Sequence, residues 1–322
     1  MGDRTSIQWT DATWNPLRGC SRISPGCTHC YAERIAARFS GPGRPFDGLA
    51  SMMPGGPRWT GRVRLVPRAM TQPLRWRRPR RIFVNSVSDL FHESLTNEQI
   101  ALLFAAMAVA PQHTFQVLTK RARRMRKWFQ WAERFAPDAG GAGPLRAIWE
   151  AIACDSEGAW PETWDTEEGP PVGNAWPLPN VWLGVSVEDQ QRADERIPEL
   201  LSVPAAVRFL SCEPLLGPVE IGSGRGIDWV IVGGESGHGA RPFDLAWARS
   251  LVAQCKAADV ALFVKQLGAC ACDAENGLAG ALLDVHPDAA ALVSQRLHDR
   301  SGADPSEWPE DLRVREFPGV QR

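Results

Sequence analysis

No uninterrupted apolar run in the 322 residues is long enough to span a membrane, and the opening Met1-Gly2-Asp3-Arg4 shows no charged-then-apolar leader. The expected protein is soluble and cytoplasmic, with no membrane partner. Acidic residues are missing altogether between Asp47 and Asp89, where Arg58, Arg62, Arg64, Arg68, Arg75, Arg77, Arg78, Arg80 and Arg81 supply nine bases. The glycine pair Gly233-Gly234 lacks the spacing of a GxGxxG fingerprint, so it is not read as a dinucleotide motif.

What is present bounds the rest. The length fits one large α/β barrel or two ordinary domains, and an apolar fraction of 44% is enough for a substantial core. Eight cysteines would permit disulfides, but a cytoplasmic chain sits in a reducing compartment where they rarely persist. Net charge is only −1, yet the bases are segregated, with a second cluster of Lys120, Arg121, Arg123, Arg124, Arg126 and Lys127. Arginine with interleaved Trp59, Trp76 and Trp128 suits phosphate pairing and base stacking, which points to nucleic acid or nucleotide as a partner; the plainer alternative is a solvated basic face.

The chemistry-bearing stretch is Gly19-Cys20-Ser21-Arg22-Ile23-Ser24-Pro25-Gly26-Cys27-Thr28-His29-Cys30-Tyr31, three cysteines spaced C-x6-C-x2-C. Thiolate sulfur is a soft ligand suited to iron–sulfur clusters and zinc. Closed structural zinc sites take four protein ligands, whereas three leave a coordination position open for water or substrate. His29 lies between Cys27 and Cys30, where bending back onto the same ion would be strained. An iron–sulfur cluster, a zinc ion and unligated thiols all remain open at this point. Cys270 and Cys272, a C-x-C pair, are a weaker candidate for a second metal.

Along the chain, Ala32 to Phe39 has helical spacing, and residues 41–61 read as a long irregular loop. Arg81 to Asn85 and Thr114 to Leu118 read as strands, separated by a helix that Thr96 and Gln99 open with a capping box. Residues 131–179 read as an irregular Trp-, Pro- and Gly-rich insertion, either a lid or a partner-binding surface. Then the βα rhythm resumes: strands at Val181–Val187, Val207–Ser211, Asp228–Val232 and Ala261–Val264, with helices ending near Ser202 and spanning Leu245–Ala258. A strand just before Cys20 brings the total to about seven. Near-continuous apolar strands alternating with helices predict a parallel sheet buried on both faces, in an α/β fold of the partial or closed (β/α) barrel type. It spans residues 1–267, with a C-terminal extension at 268–322 made of a helix and a proline-containing tail.

In such a barrel the loops at the carboxyl ends of the strands meet on one face. The cysteine loop, Ser88, Asp89, Lys120, Arg121, Ser186, Glu188, Glu213, Gly233, Gly234, Glu235, Lys265 and Gln266 all belong to that rim. Gly233 and Gly234 would let backbone approach a ligand closely, and Glu235 would accept hydrogen bonds from ribose hydroxyls or an amine. Lys120 and Arg121 would neutralise a carboxylate or phosphate.

The run Trp9-Thr10-Asp11-Ala12-Thr13-Trp14-Asn15-Pro16, the three cysteines and Tyr31-Ala32-Glu33 resemble the opening of a phage-associated, three-Cys-motif family of proteins, divergent relatives of the radical S-adenosylmethionine (SAM) enzymes. The likeness continues through Ser88-Asp89-Leu90-Phe91, Leu118-Thr119-Lys120-Arg121, Gly184 to Glu188, Ser211-Cys212-Glu213-Pro214, Gly233 to Gly237, and Trp308-Pro309 to Phe317-Pro318. That resemblance implies a radical SAM barrel in which Cys20, Cys27 and Cys30 hold three irons of a [4Fe-4S] cluster and SAM chelates the fourth. His29 takes the place before the last cysteine, near the cofactor; Ser186 and Glu188 are similar to the polar strand-end residues that hold ribose and methionine groups, and Ser88, Asp89, Gly233, Gly234 and Glu235 are further candidate cofactor-binding residues. One electron from a flavodoxin or ferredoxin would cleave SAM to a 5′-deoxyadenosyl radical that takes hydrogen from the substrate, with Lys120, Arg121, Glu213 and Lys265 as candidate catalytic residues. The superfamily spaces its cysteines C-x3-C-x2-C, so this chain carries three extra residues in the first gap.

Two other classes of function compete. One is a hydrolase using a three-Cys zinc site whose bound water attacks an electrophile. The other is a non-enzymatic, metal-stabilised adaptor that binds nucleic acid through its basic segments.

Overall fold

The computed structural model describes residues 5–135, 147–148, 150–151, 175–273, 298–299 and 301–319. Most of the expected 131–179 insertion, and the helix expected after Gly268, lie outside the described residues.

Seven strands form the main sheet: β1 (Ala12–Trp14), β2 (Arg81–Val84), β3 (Thr114–Thr119), β4 (Val181–Ser186), β5 (Val207–Cys212), β6 (Trp229–Gly233) and β7 (Ala261–Gln266). Their hydrogen-bonded order follows chain order from β1 to β7. The pairings β1–β2, β2–β3, β5–β6 and β6–β7 are parallel. Every residue of β4 and β6 is buried, which is why these segments read as unbroken apolar runs and not as alternation. The mixed α/β class and the number of strands therefore agree with the sequence reading. Its first strand, however, sits at Ala12–Trp14; Leu17–Arg18, just before Cys20, pairs antiparallel with Arg64–Leu65 instead.

The chain divides into two compact units, Met1–Gly184 with Ser202–Ala206, and Val185–Leu201 with Val207–Arg322. In the first, helix α1 (Tyr31–Arg38) packs on a hairpin, Ala50–Met53 against Gly56–Trp59, through Ala32, Ala36, Phe46, Leu49 and Ala50. This hairpin replaces part of the irregular loop expected at 41–61, because Pro54-Gly55 makes a tight turn between two short strands. Helix α2 (Asn97–Ala108) opens on the full Thr96–Gln99 capping box, and its apolar surface runs nearly all the way round, so nine of its twelve residues are buried.

Helix α3 (Ala122–Ala132) is amphipathic: Ala122, Met125, Trp128, Phe129 and Ala132 face inward. Arg123 and Lys127 are exposed, so much of the second basic cluster is a solvated helix face. Trp128 is a core residue, stacked on Phe104 at 4.4 Å and donating to the Asn97 carbonyl at 3.0 Å. Trp76 is buried too, under Arg80 and against His113. The expectation that Trp76 and Trp128 stack on bases is corrected accordingly.

The second unit carries α4 (Gln190–Leu201) and α5 (Leu245–Ala258), the latter at the predicted bounds and capped by the Asp244 carboxylate. The tail at 301–319 belongs to this unit's core: Trp308 and Leu312 are buried, and the Trp229 indole donates to the Glu316 carbonyl at 2.9 Å. No helix among the described residues is long and apolar enough to cross a membrane.

Candidate cysteine-loop site

The turn after β2 and the segment after β1 are stitched together in the first unit. Asn15 Oδ1 accepts from Ser86 Oγ at 3.1 Å and from the Val87 N–H at 3.2 Å, while Ser88 Oγ donates to the Leu17 carbonyl at 2.9 Å. Ser88 also bridges Gly19 in parallel register. Gly19 has φ of +94°, and a Cβ there would meet the Arg62 carbonyl oxygen at 2.1 Å, so the backbone leading into Cys20 requires glycine.

Downstream, Arg22 clamps the loop to α1. Its guanidinium makes a forked pair with the buried Glu33 carboxylate, which also accepts from the Trp59 N–H at 2.7 Å. Cys27 closes a single 3-10 turn, with its sulfur 3.9 Å from Ser24 Oγ. Cys30 is the residue that caps α1, and Tyr31 Oη donates to the Ser86 carbonyl. His29 is exposed and holds Arg34 through its carbonyl.

Asp89 is the hub. Its Oδ1 accepts from the Phe91 N–H at 3.0 Å and Thr119 Oγ1 at 2.7 Å; its Oδ2 accepts from the Lys120 N–H at 3.1 Å and Arg121 Nη1 at 3.0 Å. These contacts use the roughly four acceptor sites of a carboxylate and tie Asp89 to the end of β3. Arg121 then reaches the cysteine loop, donating to Ser21 Oγ at 2.8 Å and the Ser21 carbonyl at 3.1 Å, with Nη1 3.8 Å from Cys20 Sγ. Its Nε pairs with Glu93 at 2.8 Å. Burial alone would lower the pKa of Arg121, but the Asp89 carboxylate, then Cys20 and Glu93, hold it above its ordinary value.

The thiols feel this environment. Burial pushes Cys20 up to about 12, reinforced by Asp89 and opposed by Arg121. Burial likewise raises Cys30, opposed by the N–H groups of Glu33 and Ala32 and by the charge of Lys120. Cys30 adds to the rise at Cys20, and Cys27 adds to the rise at Cys30. Two cations from the end of β3 therefore act on two of the three sulfurs. His92 supports the same corner, with Nδ1 accepting from the Ser94 N–H at 3.2 Å and Nε2 3.0 Å from Ser21 Oγ. Burial, then Arg121, lowers its pKa, which favours the neutral ring.

None of the seven described cysteines is in a disulfide. Among the described residues, no group of three or more His, Cys, Asp and Glu side chains is close enough to hold a metal ion, and this covers both the loop and the Cys270–Cys272 pair. The donor chemistry nevertheless fits an iron–sulfur cluster: three free thiols on one half-buried loop, with basic groups opposing the charge their ionisation would create.

In the second unit the sequence-predicted residues form internal pairs. Glu188, fully buried, accepts from Arg196 Nη1 at 2.8 Å, and the same nitrogen lies 2.7 Å from the Ser186 carbonyl. Glu213 pairs with Lys265 at 2.6 Å, and Glu235 with Arg241. A Cβ on Gly234 would meet the Leu267 carbonyl oxygen at 2.5 Å, and one on Gly233 would meet the Gln266 carbonyl at 3.3 Å. The bareness of this glycine pair thus serves close approach of the neighbouring strand end, where the Gly234 N–H donates to the Gln266 carbonyl at 3.1 Å. Sequence reasoning missed Ser21, Arg22, Glu33, His92, Glu93 and Thr119; only the glycine placed directly before Cys20 signalled that the loop is geometrically constrained.

Fold and site together define a mixed α/β protein, built on a parallel sheet, with three free thiols on a loop braced by an Asp–Arg pair. The chain belongs to the family described as "Protein of unknown function (DUF5131)", which matches residues 4–303. No curated protein and no solved structure matches it.

Proposed function

We propose that this chain is a radical SAM-like iron–sulfur enzyme in which Cys20, Cys27 and Cys30 hold a [4Fe-4S] cluster and SAM takes the remaining iron position. The carrying observation is the opposition of Lys120 and Arg121 to the charges of Cys30 and Cys20. Burial raises both thiols, and these cations work against it by favouring the thiolate, which is the form that ligates. A partial parallel barrel of the radical SAM kind belongs to the same proposal and is supported by the sequential strand order and parallel pairings.

Bound together, the cluster and SAM would supply one-electron cleavage of a carbon–sulfur bond and hydrogen abstraction from a substrate. This chain's residues do the holding. Asp89 fixes Arg121, and Arg121 in turn fixes the Ser21 backbone and faces Cys20. Arg22 and Glu33 fix the second half of the loop against α1. In this reading Asp89 and Arg121 are positioning residues, and the reductant is a flavodoxin- or ferredoxin-type protein. The competing reading is a three-Cys zinc hydrolase, which metal and sulfide analysis separates from the cluster.

Anaerobic reconstitution with iron and sulfide, followed by metal and acid-labile sulfide analysis, tests the cluster. The expected product is a brown protein whose visible absorbance disappears in Cys20→Ser, Cys27→Ser and Cys30→Ser variants. Reduced and supplied with SAM, it should release 5′-deoxyadenosine. Stoichiometric zinc without sulfide would overturn the assignment.

A further inference from the structure

In the first unit a cavity of about 690 Å³ is lined by Arg18, Arg44, Arg64, Arg68 and Arg75, and no cysteine, aspartate or glutamate lines it. Its walls are the Leu17–Arg18 and Arg64–Leu65 ladder, the 43–45 turn and the segment from Val66 to Ala69. Among the described residues none of these five guanidiniums is in an ion pair. Arg18 Nη1 and Arg64 Nη2 instead donate to one acceptor, the Pro45 carbonyl, at 3.2 and 3.0 Å. One oxygen thus gathers two like charges, and Arg18 Nε is a buried donor with no acceptor. A buried donor without a partner is costly, and an anion entering the cavity would both satisfy it and relieve the repulsion among the like charges.

We propose that this cavity binds adjacent phosphate groups, those of a nucleoside polyphosphate or of a nucleic-acid strand. The guanidinium fork matches phosphate oxygens in paired hydrogen bonds, and five such groups exceed what a single small anion would satisfy. The volume lies within the roughly 300–1,000 Å³ of ligand pockets. Trp76 and Trp128 are buried in the core, so the acid-free arginine run reads phosphate without base stacking from them, and binding carries little base preference. The site owes nothing to the cysteine loop's chemistry and extends beyond the cluster reading.

The test uses the full chain as purified, without cluster, SAM or reductant, so its failure leaves the cluster assignment untouched and the reverse also holds. Fluorescence anisotropy of a labelled oligothymidylate, with tripolyphosphate and ATP as competitors, is measured for the parent, for the double variant Arg64→Gln/Arg68→Gln, and for Arg225→Gln as an exposed arginine elsewhere. Both cavity substitutions are at exposed positions, and unchanged circular dichroism shows that the fold persists. The expected result is a loss of affinity on the order of tenfold in the double variant, with the salt slope reduced by about one per arginine removed. Competition by ATP and tripolyphosphate identifies a nucleotide-type ligand; oligonucleotide binding that resists both identifies a strand. Absence of binding by every probe, equal affinity of parent and double variant, or an equal loss in Arg225→Gln overturns the proposal.

Discussion

Arg121 Nη1 lies 3.0 Å from Asp89 Oδ2, and both side chains are buried. The pair joins the turn after β2 to the end of β3, and Arg121 carries that support on to Ser21 in the cysteine loop. Removing Arg121 leaves the Asp89 charge buried without its cation, which costs about 3–5 kcal/mol, whereas removing Asp89 leaves Arg121 its Glu93 partner. Arg121→Gln should show a stability loss of that order by urea denaturation, and Asp89→Ala a smaller one. Arg121→Lys, which keeps the charge but not the fork, should recover part of the stability and less of the reconstituted iron content.

Gly19 makes a separate prediction. With φ of +94° and a carbonyl oxygen in the space a Cβ would take, Gly19→Ala should cost at least about 1–3 kcal/mol, because αL strain and the clash with Arg62 add. Iron content after reconstitution should fall with it, while Gly61→Ala, also at positive φ but in open space, should lose stability and keep its iron.

For Glu188 the structure distinguishes a structural from a ligand-binding role. Arg196→Met should destabilise by about 3–5 kcal/mol, since Glu188 has zero exposure and would lose its Arg196 partner. Removing both charges, as Glu188→Gln/Arg196→Met, should restore most of that loss. If the double variant folds and still cleaves SAM after reconstitution, Glu188 is a strut; loss of SAM cleavage in a stable double variant assigns it to the cofactor.

Burial, then the charge of Glu316, pushes the Cys255 thiol up to about 12 from 9.0. A folded-state value above the unfolded one means stabilisation that is complete below pH 9.0 and lost as the pH climbs toward about 12. The parent should therefore lose urea stability more steeply than Cys255→Ala across that alkaline window. At neutral pH, iodoacetamide should spare Cys255 in the native protein, as mass mapping of labelled peptides would show.

Much of the fold was legible because its signals are local. The apolar runs of β4, β5 and β6, the Thr96–Gln99 box and the limits of α5 each depend on residues within a few positions of one another. Asp89 and Arg121 were picked out as polar residues at strand ends, but their pairing was not, because it arises only when β2 and β3 lie side by side and bring together residues 32 positions apart. The same holds for Glu213 and Lys265, which meet across more than fifty residues. The hairpin at Ala50–Trp59 was hidden by its own Pro and Gly content. Trp76 and Trp128 misled because an aromatic among arginines looks alike on a helix's inner and outer faces; for Trp128, the stripe Ala122, Met125, Phe129 and Ala132 carried the answer.

Strand β7 ends the hydrogen-bonded order, yet the tail runs antiparallel along it: Phe263 bridges Arg315, the Val264 N–H donates to the Val314 carbonyl, and the Glu316 N–H donates to the Leu262 carbonyl. An uncovered rim of backbone donors and acceptors invites strand addition from other molecules. Truncation before residue 310 should thus turn a well-behaved chain into a self-associating one, visible as a shift to larger species in light scattering. The last described residues act as the selvedge of the sheet, keeping one molecule from knitting into the next.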